Sequence, residues 1–264
     1  MRRNYKNIAI NTSKNTHEKV FSMINKDTNA FVVDIPCGSG AFVQRLKDYG
    51  YQNVKAIDIE NTLEIDHDDF SVGDMTKKLP VSDNSVDVLV CIDGIEHISR
   101  QFDFVQEVHR ILKEGGEFIL STPNISSIRS RWKWFTTGHH HKYNAPLDEN
   151  NPSALHHIGL IDFPGIRYLL HTNGFKLNQV TTNWIKPISW FFLIFVPLIY
   201  LSTSWVYYKT GKKQKTRKIN KEVFRTMFSK EVLFGETLIT KATKTSSNHE
   251  GLKKDTSCRS LYCR

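Results

Sequence analysis

The chain has 264 residues, of which 39% are hydrophobic and 11% aromatic, so it can bury a sizeable core. With 14 Gly and 8 Pro it is neither collagen-like nor of low complexity. The net charge of +9 is uneven, because residues 1–208 hold 21 basic and 22 acidic residues and 209–264 hold 15 and 5. This basic C-terminal fifth favours an anionic partner, either nucleic acid or lipid, although a solvated tail would show the same asymmetry.

Apolar runs of strand length alternate with helical patterns along most of the chain. The patterns predict helices over 16–26 (capped by Thr16), 41–49, 102–112 and 162–173 (capped by Asp162). They predict strands over 31–35, 54–59, 70–72, 86–92, 118–120, 175–182 and 236–244. This order predicts an α/β fold with a parallel sheet covered on both faces, whose ligands bind beyond the carboxyl ends of the strands. Residues 124–160 show no period and are expected to form a lid or loop.

A tight turn follows the first of the buried strands. Gly38 and Gly40 leave the backbone of this turn open to a ligand, and the next helix points its amide N–H groups at that ligand. Asp58 ends the next strand, where a carboxylate can accept the hydroxyls of a ribose. Asp74 follows the third strand at the same edge of the sheet. Together these residues predict a nucleoside-binding site.

The turn also discriminates between two nucleoside cofactors. A dinucleotide site usually carries a third glycine, and Val43 occupies that position here. Asp34 enters the turn, and its carboxylate would repel a pyrophosphate but attract the amino group of a methionine moiety. The residues therefore favour a sulfonium nucleoside without phosphates.

The run Asp-Ile-Pro-Cys-Gly-Ser-Gly at 34–40 resembles the first motif of the class I S-adenosylmethionine-dependent methyltransferases. Residues 86–98 are similar to that family's fourth strand and its turn, and 112–124 to the entry of its fifth strand. A looser similarity over 157–174 is to members that modify ubiquinone and sugars. The resemblance implies a Rossmann-like seven-stranded sheet and S-adenosylmethionine as cofactor. It implies cofactor contacts from Asp34, Cys37, Gly38, Gly40, Asp58, Asp74, Met75 and Asp93.

Transfer of a methyl group to a hydroxyl needs a general base, which is most often a histidine. His157 precedes the helix over 162–173 and is the first candidate, and His97 after the fourth strand is the second. No metal is expected, since three successive side chains at 139–141 cannot easily face one ion. Cys258 and Cys263, near the C-terminus, are weak evidence for a disulfide or a metal site.

An uncharged run of 22 residues, 187–208, precedes the last predicted strand. A straight helix of that length would reach about 33 Å, so a membrane span is possible. Pro197 at its centre predicts instead two short helices that dip into one leaflet and return, because the strand over 236–244 must rejoin the sheet. Basic residues at 209–218 would contact anionic headgroups. A buried hairpin or a dimer surface is the alternative.

These observations divide the chain into a main methyltransferase part (1–184), a membrane-associating insertion (185–218), a helix and last strand (219–245) and a disordered tail (246–264). We expect a methyltransferase at the inner face of the membrane that O-methylates a lipid-linked glycan precursor, a surface-glycan precursor or a quinone-like lipid. The alternative is an RNA or other nucleic-acid methyltransferase or binder that uses the basic tail. Asp93-Gly-Ile-Glu after the fourth strand differs from Asn-Pro-Pro-Tyr, which counts against a nucleic-acid amine. The oligomeric state stays open.

Overall fold

A computed structural model describes residues 3–142, 147–210 and 214–246. The strands are β1 (Arg3–Tyr5), β2 (Ile8–Ile10), β3 (Val32–Asp34), β4 (Val54–Asp58), β5 (Phe70–Val72), β6 (Val86–Ile92), β7 (Leu112–Pro123), β8 (Phe175–Thr182) and β9 (Thr237–Lys244). The α-helices are α1 (Thr16–Phe21), α2 (Ala41–Asp48), α3 (Gln101–Ile111), α4 (Ile128–Thr137), α5 (Phe163–Thr172), α6 (Val196–Thr210), α7 (Gln214–Met227) and α8 (Lys230–Phe234). Two 3-10 helices cover Ile95–His97 and Pro187–Phe195. The tail predicted after 246 lies outside the described residues, as do Cys258 and Cys263.

Seven strands form one sheet in the order β5-β4-β3-β6-β7-β9-β8, and β1 and β2 form a separate hairpin. The strands from β5 to β7 pair in parallel, whereas β9 is antiparallel to both β7 and β8. The order reverses at β3, where the first motif lies, so that β4 and β6 flank the glycine turn. The predicted seven-stranded Rossmann-like fold is confirmed, with the last strand inserted between two earlier ones.

Helices cover both faces of this sheet, as the continuous apolar strands predict. In β6, Val88 and Val90 pack with α1 and α2 on one face, while Leu89 and Cys91 pack with α3 and α5 on the other. This alternation follows from the two-residue period of a strand. The two cores hold the carboxyl ends of the central strands in fixed positions.

Several local predictions need correction. Thr16 does not cap α1: Asn15 is the residue before the helix, and Thr16 is buried with its hydroxyl donating to the carbonyl of Ser13. Residues 128–137 form the helix α4, which the sequence analysis assigned to an unpatterned loop. The helix α3 ends at Ile111, before the glycine pair 115–116, and the backbone continues directly into β7.

Residues Pro187–Thr210, called here the apolar segment, form one continuous helical stretch between β8 and β9. The stretch changes from a 3-10 to an α-helix at Val196, next to Pro197, which is close to the predicted break. The predicted pair of helices is present as this 3-10 part and α6, and the basic α7 packs back against α6. Entry of the pair into one leaflet stays a prediction. Among the described residues, this is one helical stretch long and apolar enough to cross a membrane by length and composition.

Candidate active site

A cavity of about 1050 Å³ opens at the carboxyl ends of β3, β4 and β6. Its wall includes seven of the ten side chains or glycines singled out from the sequence, which are Asp34, Cys37, Gly38, Asp58, Asp93, His97 and His157. The switch in strand order at β3 therefore brings cofactor candidates and base candidates into one space.

The glycine turn forms the floor of the cavity. Gly38 has φ +51°, and a Cβ atom there would meet no protein atom within 4 Å, so it would point into open space beside the turn. Gly40 has φ +86°, and a Cβ atom would lie 2.8 Å from the side chain of Ile65. Gly38 thus keeps the ligand approach free, whereas Gly40 allows the segment carrying Leu63 and Ile65 to pack on the turn.

Two carboxylates flank this turn. Asp58 accepts hydrogen bonds from the backbone N–H of Gly38 (2.8 Å) and of Ile59 (2.7 Å), which fixes its orientation at the edge of the cavity. Asp34 is 1% exposed, and its Oδ2 has no hydrogen-bond partner. Burial, and then the nearby Asp58, raise the pKa of Asp34 well above its usual range.

The environment of Asp34 can be compared with the chemistry of the predicted cofactor. A buried acceptor without a donor is costly, and a cationic amino group from a ligand would satisfy it. Asp58 offers further lone pairs toward the cavity for ribose hydroxyls. Open space at Gly38 and two acids beside it fit the nucleoside and amino-acid parts of S-adenosylmethionine.

Asp74 and Met75 lie outside the wall of this cavity. The Oδ1 of Asp74 accepts from the backbone N–H (2.8 Å) and the hydroxyl (2.7 Å) of Thr76, so the side chain stabilises its own turn. Met75 packs in the core beneath. Their contact with an adenine therefore stays a prediction.

A second group of titratable side chains lies across the cavity. Glu96 is fully buried, with Oε2 accepting from the hydroxyl of Thr122 at 3.1 Å and Oε1 unpartnered. Burial, and then Asp93, raise the pKa of Glu96 well above its usual range. Asp93 accepts from the hydroxyl of Ser121 at 2.6 Å, and burial raises its pKa as well.

The two predicted bases contact each other. The rings of His97 and His157 meet edge to face, with centroids 4.7 Å apart. The Nδ1 of His97 lies 3.3 Å from the carbonyl oxygen of His156, whereas the Nδ1 of His157 has no partner. Burial lowers the pKa of both rings, and His97 lowers that of His157 further. The lowered pKa favours the neutral form of both imidazoles, and a neutral imidazole can accept a proton.

Glu96 was not singled out from the sequence, although it stands beside His97 in the motif that was quoted. Glu96, His97 and His157 each place one potential metal-ligand atom within 4.8 Å of those of the other two. This spacing is also compatible with a bound metal ion. The histidine run at 139–141 gives no such group: His140 pairs with Ser130, and His141 pairs with Glu236.

The sequence analysis also missed residues that come from distant parts of the chain. Lys142 lines the cavity and donates to the hydroxyl of Ser13 at 3.1 Å. The N-terminal hairpin and α1 close one side, with Ala9 of β2 and His17 of α1 in the wall. No local motif marks these residues, because the fold alone brings them to the cavity.

Part of this chain is similar in sequence to known proteins. Residues 33–120 match the family described as "Methyltransferase domain". A probable S-adenosylmethionine-dependent methyltransferase of Mycolicibacterium smegmatis is 51% identical over 47 residues, which is 18% of each chain. A ubiquinone biosynthesis O-methyltransferase of Pseudomonas aeruginosa is 27% identical over 106 residues, covering 35% of this chain and 44% of that protein.

The fold also resembles solved structures along most of its length. The structure of a Haloferax volcanii complex between the Trm112 methyltransferase activator and a methyltransferase matches with a TM-score of 0.54 and 20% identity. That match covers 88% of this chain and 90% of the other. The alignments to the two curated relatives span less than half of those proteins' length.

Proposed function

We propose that this chain is a class I S-adenosylmethionine-dependent methyltransferase that transfers a methyl group to a hydroxyl group of a lipid-linked acceptor. The observation that carries the chemistry is the pair of neutral, mutually contacting histidines across the cavity from the glycine turn. A hydroxyl acceptor needs a base at this place, since it must lose its proton as the new bond forms.

S-adenosylmethionine supplies a methyl group activated by its sulfonium. Asp34 would hold the amino group of this cofactor and Asp58 its ribose hydroxyls, beside the open approach at Gly38. Alignment of two reactants in one enclosed space contributes much of the acceleration in such displacements.

His157 is the proposed general base, and His97 orients it. A ring nitrogen of His157, which lines the cavity wall, accepts the hydroxyl proton, while the Nδ1 of His97 lies 3.3 Å from the carbonyl oxygen of His156. A lowered pKa keeps His157 in its basic form down to pH values below 6.5. The rate should therefore fall only on the acid side, as pH drops through the lowered pKa.

The exposed apolar segment supports a lipid-linked acceptor, such as a glycan precursor or a quinone-like lipid. An enzyme held peripherally or monotopically at the inner face of the membrane meets such acceptors at high local concentration. The likeness to ubiquinone O-methyltransferases is compatible with this proposal. The competing proposal is a nucleic acid as acceptor, bound by the basic residues after 208.

The test incubates the purified protein with S-adenosylmethionine carrying a labelled methyl group and with fractionated cell extract. We expect label in the lipid fraction, and a loss of at least a hundredfold for His157→Ala. Asp58→Ala should instead abolish cofactor binding in calorimetry. A matched control is His171→Ala, which removes an exposed histidine of α5 outside the cavity.

Three outcomes would contradict parts of the proposal. Label in RNA, with binding that weakens steeply with salt, would assign the acceptor to nucleic acid. Activity lost with a chelator and restored by a divalent cation would assign Glu96, His97 and His157 to a metal instead of to base catalysis. Cofactor binding without turnover in any fraction would leave a binding module.

A further inference from the structure

The aromatic residues of α4 face away from the cavity. Trp132, Trp134 and Phe135 are 41%, 54% and 76% exposed, and none of them lines the cavity wall. The ring of Trp132 stacks on that of Phe195 in the apolar segment, with centroids 4.9 Å apart and planes inclined by 27°. The exposed face of α4 thus continues directly into the apolar segment.

Most of the large apolar side chains of the apolar segment are exposed, while four of them pack in a small core with α4 and α8. No residue of α6 is buried. Its exposed large apolar side chains are Ile188, Trp190, Phe191, Leu193, Ile194, Leu198, Tyr200, Leu201, Trp205, Val206 and Tyr208. Contiguous apolar surface of this kind on a soluble domain marks an interaction site.

One buried carboxylate joins the two parts of this surface. Glu236 is 3% exposed and accepts from Arg129 of α4 at 2.8 Å and from Lys186, just before the apolar segment, at 2.7 Å. His141 donates to it at 2.8 Å. Although burial alone would raise its pKa, the hydrogen bonds from His141 and Lys186 hold the pKa of Glu236 well below its usual range. Glu236 is therefore charged, and it ties α4 and the apolar segment to the start of β9.

Positive charge borders the surface. Lys209 lies over the ring of Trp205, 3.6 Å from its centroid. On α7, Lys218, Lys221 and Arg225 are exposed, while the acidic Glu222 is paired with Arg167 at 2.7 Å.

From this arrangement we propose that α4 and the apolar segment form one docking face for an anionic lipid bilayer, clamped as a unit by Glu236. The inference rests on the membrane association proposed above and adds α4 as a second contact. Tryptophan and tyrosine are enriched where a protein meets the membrane–water interface, and lysine and arginine bind anionic headgroups. A second copy of the chain fits less well, because symmetric pairing would bring the basic borders of two copies together.

The test is flotation of the purified full-length protein with vesicles of phosphatidylcholine alone or with one-third phosphatidylglycerol. We expect binding to the anionic vesicles that drops at least tenfold for Trp132→Ser/Phe135→Ser and for Phe191→Ser/Ile194→Ser. The matched control is Phe102→Ser/Tyr168→Ser, which removes two exposed, contacting rings of α3 and α5 on a different surface. Glu236→Gln should weaken binding by loosening the clamp.

Calorimetry with S-adenosylmethionine separates this inference from the proposed function. All surface variants should bind the cofactor within twofold of the parent, which also shows that they fold. If the α4 variant floats like the control while the segment variant does not, α4 is not part of the face, and the inference fails although membrane association survives. If no vesicle binds and the α4 variant instead breaks a dimer in sedimentation, the occupant is a second copy and the inference is wrong.

Discussion

Residues of the same type have different roles inside and outside the cavity. Gly38 and Gly115 both have positive φ and open space at the Cβ position, yet only Gly38 faces the cavity. Asp34 and Asp74 both belong to the quoted motifs, yet Asp34 has an unpartnered buried oxygen and Asp74 is satisfied by Thr76. Residue type in a motif therefore narrows the candidates, and the local environment selects among them.

Gly38→Ala tests the open approach to the turn. We expect cofactor affinity to fall at least tenfold, because the added methyl group would occupy ligand space. Gly115→Ala is the matched control, since its φ of +72° imposes a similar backbone strain of about 1 kcal/mol far from the cavity. Calorimetry measures the affinity and thermal unfolding the strain. Equal affinities for the two variants would contradict the role of Gly38.

The buried side chain of His17 should make the free energy of unfolding depend on pH. Burial, and then Arg45, lower the pKa of this 7% exposed ring to about 4. Between pH 6.5 and 4 the unfolded chain binds a proton that the folded protein does not, so the free energy of unfolding falls as pH falls. We expect the parent to lose up to about 3 kcal/mol more than His17→Leu over this window. Denaturant melts of both proteins at several pH values measure it, and parallel curves would contradict it.

Elements differ in how clearly their ends are marked. The start of α5 was predicted from the sequence, and the carboxylate of Asp162 accepts from the N–H of Gly165 at 2.8 Å as a cap should. The helix α4 was missed although Ser127 caps it, because its aromatic residues are exposed and create no core-facing period. A helix whose large apolar side chains are exposed does not show the apolar period by which a helix is predicted from sequence.

Asp162→Ala tests the cap of α5. We expect a loss of about 1 kcal/mol, because the first turn loses the acceptor for one of its amides. Asp162→Asn should restore most of this stability, since its side-chain oxygen can accept the same hydrogen bond. The midpoint of denaturant unfolding measures both variants. Equal destabilisation by Asn and Ala would assign the effect to the lost charge instead.

At the scale of the whole molecule, the apolar segment leaves and re-enters the same sheet. Thr182 at the end of β8 lies opposite Leu238 near the start of β9. The chain between them therefore begins and ends on one side of any membrane that it enters. The basic α7 returns against α6, and its charges oppose a second crossing.

Cysteines placed on either side of the apolar segment test this topology. We expect Lys176→Cys in β8 and Lys230→Cys in α8, both exposed, to react from the same face of sealed membrane vesicles with an impermeant maleimide. Cys258 and Cys263 are replaced by Ser so that they cannot react with the maleimide. Cys37 and Cys91 are kept, because both are buried. Labelling of the two sites from opposite faces would overturn the monotopic arrangement.

The sequence of strands along the chain, the glycine turn and the acids Asp34 and Asp58 could be predicted from sequence, because each of them is marked by a local pattern of its own. The contacts of Glu96 with Thr122, of His97 with His157 and of Glu236 with Arg129 could not. Each joins residues that are 26 to 107 positions apart. Glu96 meets Thr122 because β6 pairs with β7, and Glu236 meets Arg129 because β9 pairs with β7 beside α4. These pairings belong to the tertiary structure, and no local pattern of the sequence marks them.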